Sequence, residues 1–208
     1  MSAHTIFGPF RLSTAAALAA LLAACAGGPT SDGEAPAPRA RAASLQVGYA
    51  CCNLHYDGDL VSDSNYGQLP FVAAGTPLRV TKIDGYVAHV DVDGRSLRLL
   101  LEHRDQETMQ EWLGRIVVAD DPRPKIAAFP PPVRDAVKAG RLLKGMTREQ
   151  VIIAVGYPQT SDKFRLDGPS WRYWWSGFAP YYVYWSANKL SRIDGQAEVV
   201  GAVTYKGR

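Results

Sequence analysis

Chemistry-bearing residues are scarce in this chain. It has three cysteines and four histidines in 208 residues, and its formal net charge is only +3. Three cysteines, two of them adjacent at Cys51 and Cys52, cannot build a disulfide scaffold or a paired-cysteine zinc site. No apolar run approaches the roughly 20 residues that a membrane-crossing helix needs. No nucleophile elbow, phosphate loop, zinc signature or dinucleotide fingerprint occurs. His55, His89 and His103 are scattered, and Asp91-Val92-Asp93-Gly94 has its glycine too early for a calcium loop. No catalytic residue, metal, cofactor or small-molecule substrate is therefore assigned.

What is present begins at the N-terminus. Arg11 precedes an apolar Ala/Leu run from Leu12 to Ala24, the pattern of a signal peptide over residues 1–24. The run ends Leu22-Ala23-Ala24-Cys25-Ala26, which resembles a bacterial lipobox with Cys25 as the acylated residue. Several acyl chains on one residue give stable anchoring, at about 0.8 kcal/mol per buried methylene. Ala26, rather than Asp, follows the cysteine. By the sorting rule of Gram-negative lipoproteins this implies the periplasmic side of the outer membrane, and nucleic acid is not an expected partner. Residues 25–44 hold Gly, Pro, Ala and Ser with almost nothing to build a core, so they read as a lipid-bearing disordered tether.

Residues 45–121 read as a small β-rich module with one helix. Asp84-Gly85 and Asp93-Gly94 separate alternating runs, the strongest short hairpin signal. The expectation is a three-stranded meander with a strand before it, as a small SH3-like barrel or curled sheet. A helix is expected over Asp105–Ile116, with Met109, Trp112, Leu113 and Ile116 on one face and Glu107 in the first turn. In the oxidising periplasm, Cys51 and Cys52 are left to bond each other or a partner chain, or one is buried as a small apolar residue.

Residues 122–132 form a proline-rich hinge, and 133–208 a second module. A helix is expected over Val133–Leu143. Thr147 and Gln150 make a capping box for another helix, which Gly156 and Pro158 end. The aromatic stretches Trp171–Ser176 and Tyr181–Trp185 alternate as strands, and Asn188-Lys189 turns into a third. Val199–Tyr205 reads as a final strand. The order and spacing of Gly145, Met146, Thr147, Val151, Gly156, Pro158, Trp171, Tyr173 and Asn188 resemble the SmpA/OmlA (BamE-like) family of outer-membrane lipoprotein domains, over roughly residues 134–195. The resemblance implies two helices on a three-stranded antiparallel sheet, a fold shared with protein inhibitors of β-lactamase. The whole chain is thus expected to be α+β.

The motif residues are expected to be mostly structural. The chain's five Trp and ten Tyr, mostly crowded into the second module, are more than one small sheet face can hide. Trp174, Trp185, Tyr181 and Tyr184 are therefore the candidate contacts for an envelope protein partner. The formal charge is −6 over residues 45–122 and +8 over 123–208, which allows mutual attraction of the modules or a basic face offered to an acidic partner or anionic lipid. The leading expectation is a non-enzymatic outer-membrane lipoprotein, an accessory or assembly factor. The alternatives are a peptidoglycan-binding lipoprotein, through the SH3-like module, and a protein inhibitor of a periplasmic enzyme.

Overall fold

The structure is a computed structural model, and it describes residues 46–159 and 166–207. The signal peptide, Cys25 and the tether lie outside the described residues. Among the described residues eleven strands are formed: β1 (Val47–Ala50), β2 (Leu54–His55), β3 (Leu60–Ser62), β4 (Phe71–Val72), β5 (Pro77–Asp84), β6 (Val87–Val92), β7 (Arg95–Leu100), β8 (Val117–Val118), β9 (Ser170–Ser176), β10 (Ala179–Ser186) and β11 (Lys189–Gly195). Five helices accompany them: α1 (Met109–Ile116), α2 (Arg123–Ala127), α3 (Pro131–Lys138), α4 (Arg148–Val155) and α5 (Ala197–Val203). The fold is α+β, as expected.

The first sheet is six-stranded, mixed and curled as a half-barrel, in the order β3-β7-β6-β5-β1-β8. Its centre is the expected meander. Leu78 and Val80, then Ala88, Val90 and Val92, then Leu97 and Leu99 all turn inward at period two and are buried. Asp93 and Gly94 both have positive φ (52° and 82°), the requirement of a type I′ hairpin, while in the preceding turn Gly85 alone has positive φ (59°). The short apolar strand that the sequence places over Ile116–Ala119, after the helix, forms as β8, whereas β3 was not anticipated. β3 pairs in parallel with β7, held where Arg98 forks onto the Asp59 carboxylate at 2.8 and 2.9 Å. β8 pairs antiparallel with β1. Cys51 and Cys52 are bonded to each other just after β1, and both are buried.

α1 starts later than the sequence suggests. Thr108 caps it, in a capping box with Glu111. Glu107 therefore precedes the helix instead of lying in its first turn. It pairs with Arg115 at 2.5 Å, and burial pushes its carboxyl pKa up. The apolar face of Met109, Trp112, Leu113 and Ile116 is buried as expected.

The second sheet is antiparallel, in the order β11-β10-β9, and α3, α4 and α5 together with Leu142 and Met146 contribute to its core. α4 follows its sequence signals: Thr147 and Gln150 form the capping box, and Gly156 ends the helix at φ 86°. The β10–β11 turn is Ala187-Asn188 (φ 46° and 59°), one residue earlier than expected. The proline-rich stretch is not simply a hinge, since it contains α2 and buries Ile126 in the second core. The last element is the helix α5, not a strand. Val199 and Val203 are one turn apart, so both face the core, and chain pairing shrinks to the single Leu142–Thr204 bridge.

The described residues belong to one compact unit, and a short polar ladder joins its two cores. Asn53 is 1 % exposed. Its Nδ2 donates to the Val137 carbonyl on α3 (2.8 Å) and the Ala154 carbonyl on α4 (2.9 Å). Its Oδ1 accepts from the Ala74 amide (3.0 Å), and its own amide donates to the Ile153 carbonyl (3.1 Å). Asn65 repeats the device, donating to the Asn53 and Val155 carbonyls and accepting from the His55 amide. His55 Nδ1 in turn donates to the Leu69 carbonyl at 2.7 Å.

Two predictions follow from this ladder. Asn53→Ala leaves the Ala154 carbonyl and the Ala74 amide buried without this partner, at about 1–3 kcal/mol each, and takes from the Val137 carbonyl one of its two donors, the Gly140 amide remaining. The expected loss is about 3 kcal/mol or more in denaturant titration, against less than about 0.5 kcal/mol for Lys82→Ala in an exposed pair. His55 carries a pH term. Burial lowers its pKa, with the Leu69 bond opposing and Arg141 adding to the fall. The unfolded chain then takes up a proton below about pH 6.5 that the folded chain refuses, so stability drops as pH falls through that value. Melting temperature measured from pH 7.5 to 5 should decline, and His55→Gln, which keeps a donor for Leu69, should flatten the decline.

Candidate partner-binding surface

The second sheet has two unlike faces. Toward the helices point Trp171, Tyr173, Tyr181, Val183 and Leu190, all buried. The Tyr173 and Tyr181 rings stack at 5.5 Å, and the Tyr173 hydroxyl donates to the Gly156 carbonyl at 3.2 Å. Burial raises both phenol pKa values, so both stay neutral. Tyr181, expected at a partner surface, is 2 % exposed and belongs to the core.

Trp185 also departs from expectation. It shares parity with Tyr181 and Val183, so it turns to the helix side and meets Trp171 edge-on at 4.5 Å. The Arg148 guanidinium lies over both rings, 4.5 Å from Trp185 and 5.1 Å from Trp171. It also donates to the Leu166 and Gly168 carbonyls at 2.7 and 2.9 Å. Partial burial pulls its pKa down from the usual arginine value. Trp185 is a clamp on the core, not an outward anchor.

The other face carries the strand residues of opposite parity. The register aligns Ser170, Tyr184 and Arg192 in one row and Arg172, Tyr182 and Asp194 in the next, with Trp174 opposite Pro180. Arg192 lies 3.9 Å above the Tyr184 ring and 2.6 Å from Asp194. Tyr182 is 38 % exposed, and Phe178, in the β9–β10 turn, is 95 % exposed. Of the four aromatics expected to meet a partner, Tyr184 and Trp174 are on this face. Tyr182, Phe178 and Arg192 were missed, although Tyr182 shares parity with Tyr184 and Phe178 follows Gly177 in a turn.

Trp174 marks the border of the face. Its indole N–H donates to Gln159 Oε1 at 2.6 Å, and Arg172 lies 5.5 Å from its ring. Gln159 is itself buried against the loops that follow β3 and β7, with Nε2 3.1 Å from Ser64 Oγ and 3.1–3.2 Å from the His103 ring nitrogens. His103 Nδ1 faces Asp63 at 2.9 Å, and the Ser64 hydroxyl faces Glu102 at 2.9 Å. Imidazole and hydroxyl thus each engage a carboxylate rather than each other. The cluster orients Gln159 and, through it, Trp174. Backbone bonds from Gly67 and Gln68 to the Trp174 and Trp175 carbonyls brace the same edge.

The remaining motif residues hold the second core together. The Gly145 amide donates to the Leu190 carbonyl, and the Leu190 amide to the Met146 carbonyl, both at 2.8 Å. Met146 and Val151 are fully buried. Gly156 is closed in by the Asn65 carboxamide, Pro158 is buried beside it, and Asn188 turns the last hairpin.

The division of faces predicts a division of costs. Tyr182→Ala and Phe178→Ser should change unfolding free energy by no more than about 0.5 kcal/mol. Tyr181→Ala, in the same strand, should cost about 3–5 kcal/mol. Urea titration of the three variants tests this, and a large loss at Tyr182 would show that the outward face is structural.

Comparison of the chain with protein-family models, with characterised proteins and with solved structures finds no match.

Proposed function

We propose that this chain is a non-enzymatic lipoprotein of the outer membrane, anchored through Cys25 on the periplasmic side, that serves as an accessory or assembly factor by docking an envelope protein. One observation carries the reading. A three-stranded sheet buries one aromatic face under helices and leaves the other, with Tyr182, Tyr184, Phe178 and Arg192, without a covering element among the described residues. Tyrosine, phenylalanine and arginine are enriched at protein interfaces: the aromatics give large contact area with few rotatable bonds, and arginine offers a planar fork of donors.

The finer fold assignments belong to the same proposal. The half-barrel is read as SH3-like. α3 and α4 on the sheet β9–β11 are read as a SmpA/OmlA-like (BamE-like) module, with the residues Gly145 to Asn188 as its signature. Phe178 favours a second reading. A nearly fully exposed aromatic at the tip of a hairpin is the form a plug takes when a protein inhibitor fills an enzyme's cleft.

Site-specific photocrosslinking in intact envelopes tests both readings. A photoreactive residue at 182 or 178 should yield adducts with another protein, and one at the buried position 181 should not. Adducts at both 182 and 178 with a membrane assembly protein fit the first reading. Adducts at 178 alone, with a soluble periplasmic enzyme, fit the second. Adducts confined to the chain itself contradict both. In the same cells Cys25→Ser should move the protein from the membrane to the soluble fraction, and unchanged fractionation would contradict the lipid anchor.

A further inference from the structure

A cleft that shares no residue with the aromatic face opens between α2, α3 and the segment 71–74. Its volume is about 290 Å³. Phe71, Ala74, Ile126 and Val137 give it apolar walls, and Arg123, Arg134 and Lys138 are its only charged lining residues. Arg123 is paired with Asp121 at 2.6 Å. Arg134 has a single weak bond, 3.4 Å to the Ala127 carbonyl, and Lys138 has no ion pair among the described residues. An apolar hollow beside two cations that have no counterion among the described residues is complementary to an apolar group that carries negative charge next to it.

We propose that this cleft binds an acidic peptide segment of a protein partner, seating one large apolar side chain in the hollow and two carboxylates on Arg134 and Lys138. Those two residues are one helical turn apart, about 6 Å along the axis of α3. In an extended peptide, alternate residues share a face and lie about 6.6 Å apart. Carboxylates at alternate positions therefore match the two cations, and an apolar residue two positions earlier falls on the same face, toward the hollow. The size argues against a long acyl chain. Clefts that enclose whole ligands run from about 300 to 1,000 Å³, so this one is at the small end and suits a single side chain. The apolar anchor supplies affinity, and the two cations supply direction and approach rate. This holds whether or not the aromatic face docks a partner.

The test is fluorescence polarisation with the full chain in detergent and a dye-labelled peptide Gly-Phe-Ser-Glu-Ser-Glu-Gly, beside a second peptide with Lys for both Glu. The acidic peptide should bind, and the basic one should not. Arg134→Glu with Lys138→Glu should weaken binding about fivefold or more. Ala127→Trp, an exposed position on the cleft wall, should abolish it with melting temperature unchanged. Equal binding of the two peptides, or acidic-peptide binding indifferent to both variants, overturns the proposal. So does absence of peptide binding together with retention on anionic phospholipid vesicles that both variants abolish, which would assign the cleft to a membrane surface.

Discussion

The two cores of this protein meet across one buried carboxamide. Asn53 is in the irregular stretch after β1, yet its hydrogen bonds end on α3, on α4 and on the Ala74 amide of the first half. A side chain this buried is tolerated only when its donors and acceptor are satisfied together, and they can be satisfied together only if both halves are in place. Asn65 extends the constraint by tying the ends of α4 and β2 to the same stretch, and the close fit of its carboxamide against Gly156 leaves that position no room for a side chain. The charge contrast between the halves is a weaker link. Glu107 pairs with Arg115 inside the first half, Lys125 with Glu149 inside the second, and Asp121 with Arg123 joins residues only two apart at the boundary.

The joint explains how the aromatic residues are divided. With α3 and α4 fixed over one face of the second sheet, that face is saturated by Trp171, Tyr173, Tyr181, Val183 and the Trp185–Arg148 clamp. The rest of the aromatic surface is displaced to the opposite face and to the hairpin tip. Arginine side chains lie over Tyr184 and Trp174 there, which keeps the rings partly covered while leaving cations at the surface. Such a face stays compatible with water yet is rich in groups that gain from contact with another protein, which is the basis for reading it as a docking surface.

Much of this architecture was legible because local signals agreed with the tertiary result. The Asp-Gly turns, the Thr147–Gln150 box and the period-two runs of β5–β7 each specify their element without help from distant residues. What was not legible depended on contacts far along the chain. β3 pairs with β7 through Asp59 and Arg98, 39 residues apart. The run after Ala197 has strand-forming valines, but the second core needed cover from residues four apart, so it became a helix. Trp185 and Tyr181 looked like outward anchors because aromatic content was weighed more heavily than parity, and parity decided their direction. Asn53, between a cysteine and a leucine, gave no sequence signal that it joins two cores.

The central physical claim is that the Asn53–Asn65 ladder makes the half-barrel and the second sheet one cooperative structure, which in turn fixes the outward aromatic face as a rigid surface. Native-state hydrogen exchange followed by mass spectrometry tests it most directly. In low denaturant, peptides from β5–β7 and from β9–β11 should exchange in a single global opening with the same free energy and the same denaturant slope. Exchange of the β9–β11 peptides at a distinctly lower free energy, while β5–β7 stays protected, would contradict the account. It would make the second sheet an independently opening domain whose aromatic face is not held in place by the first.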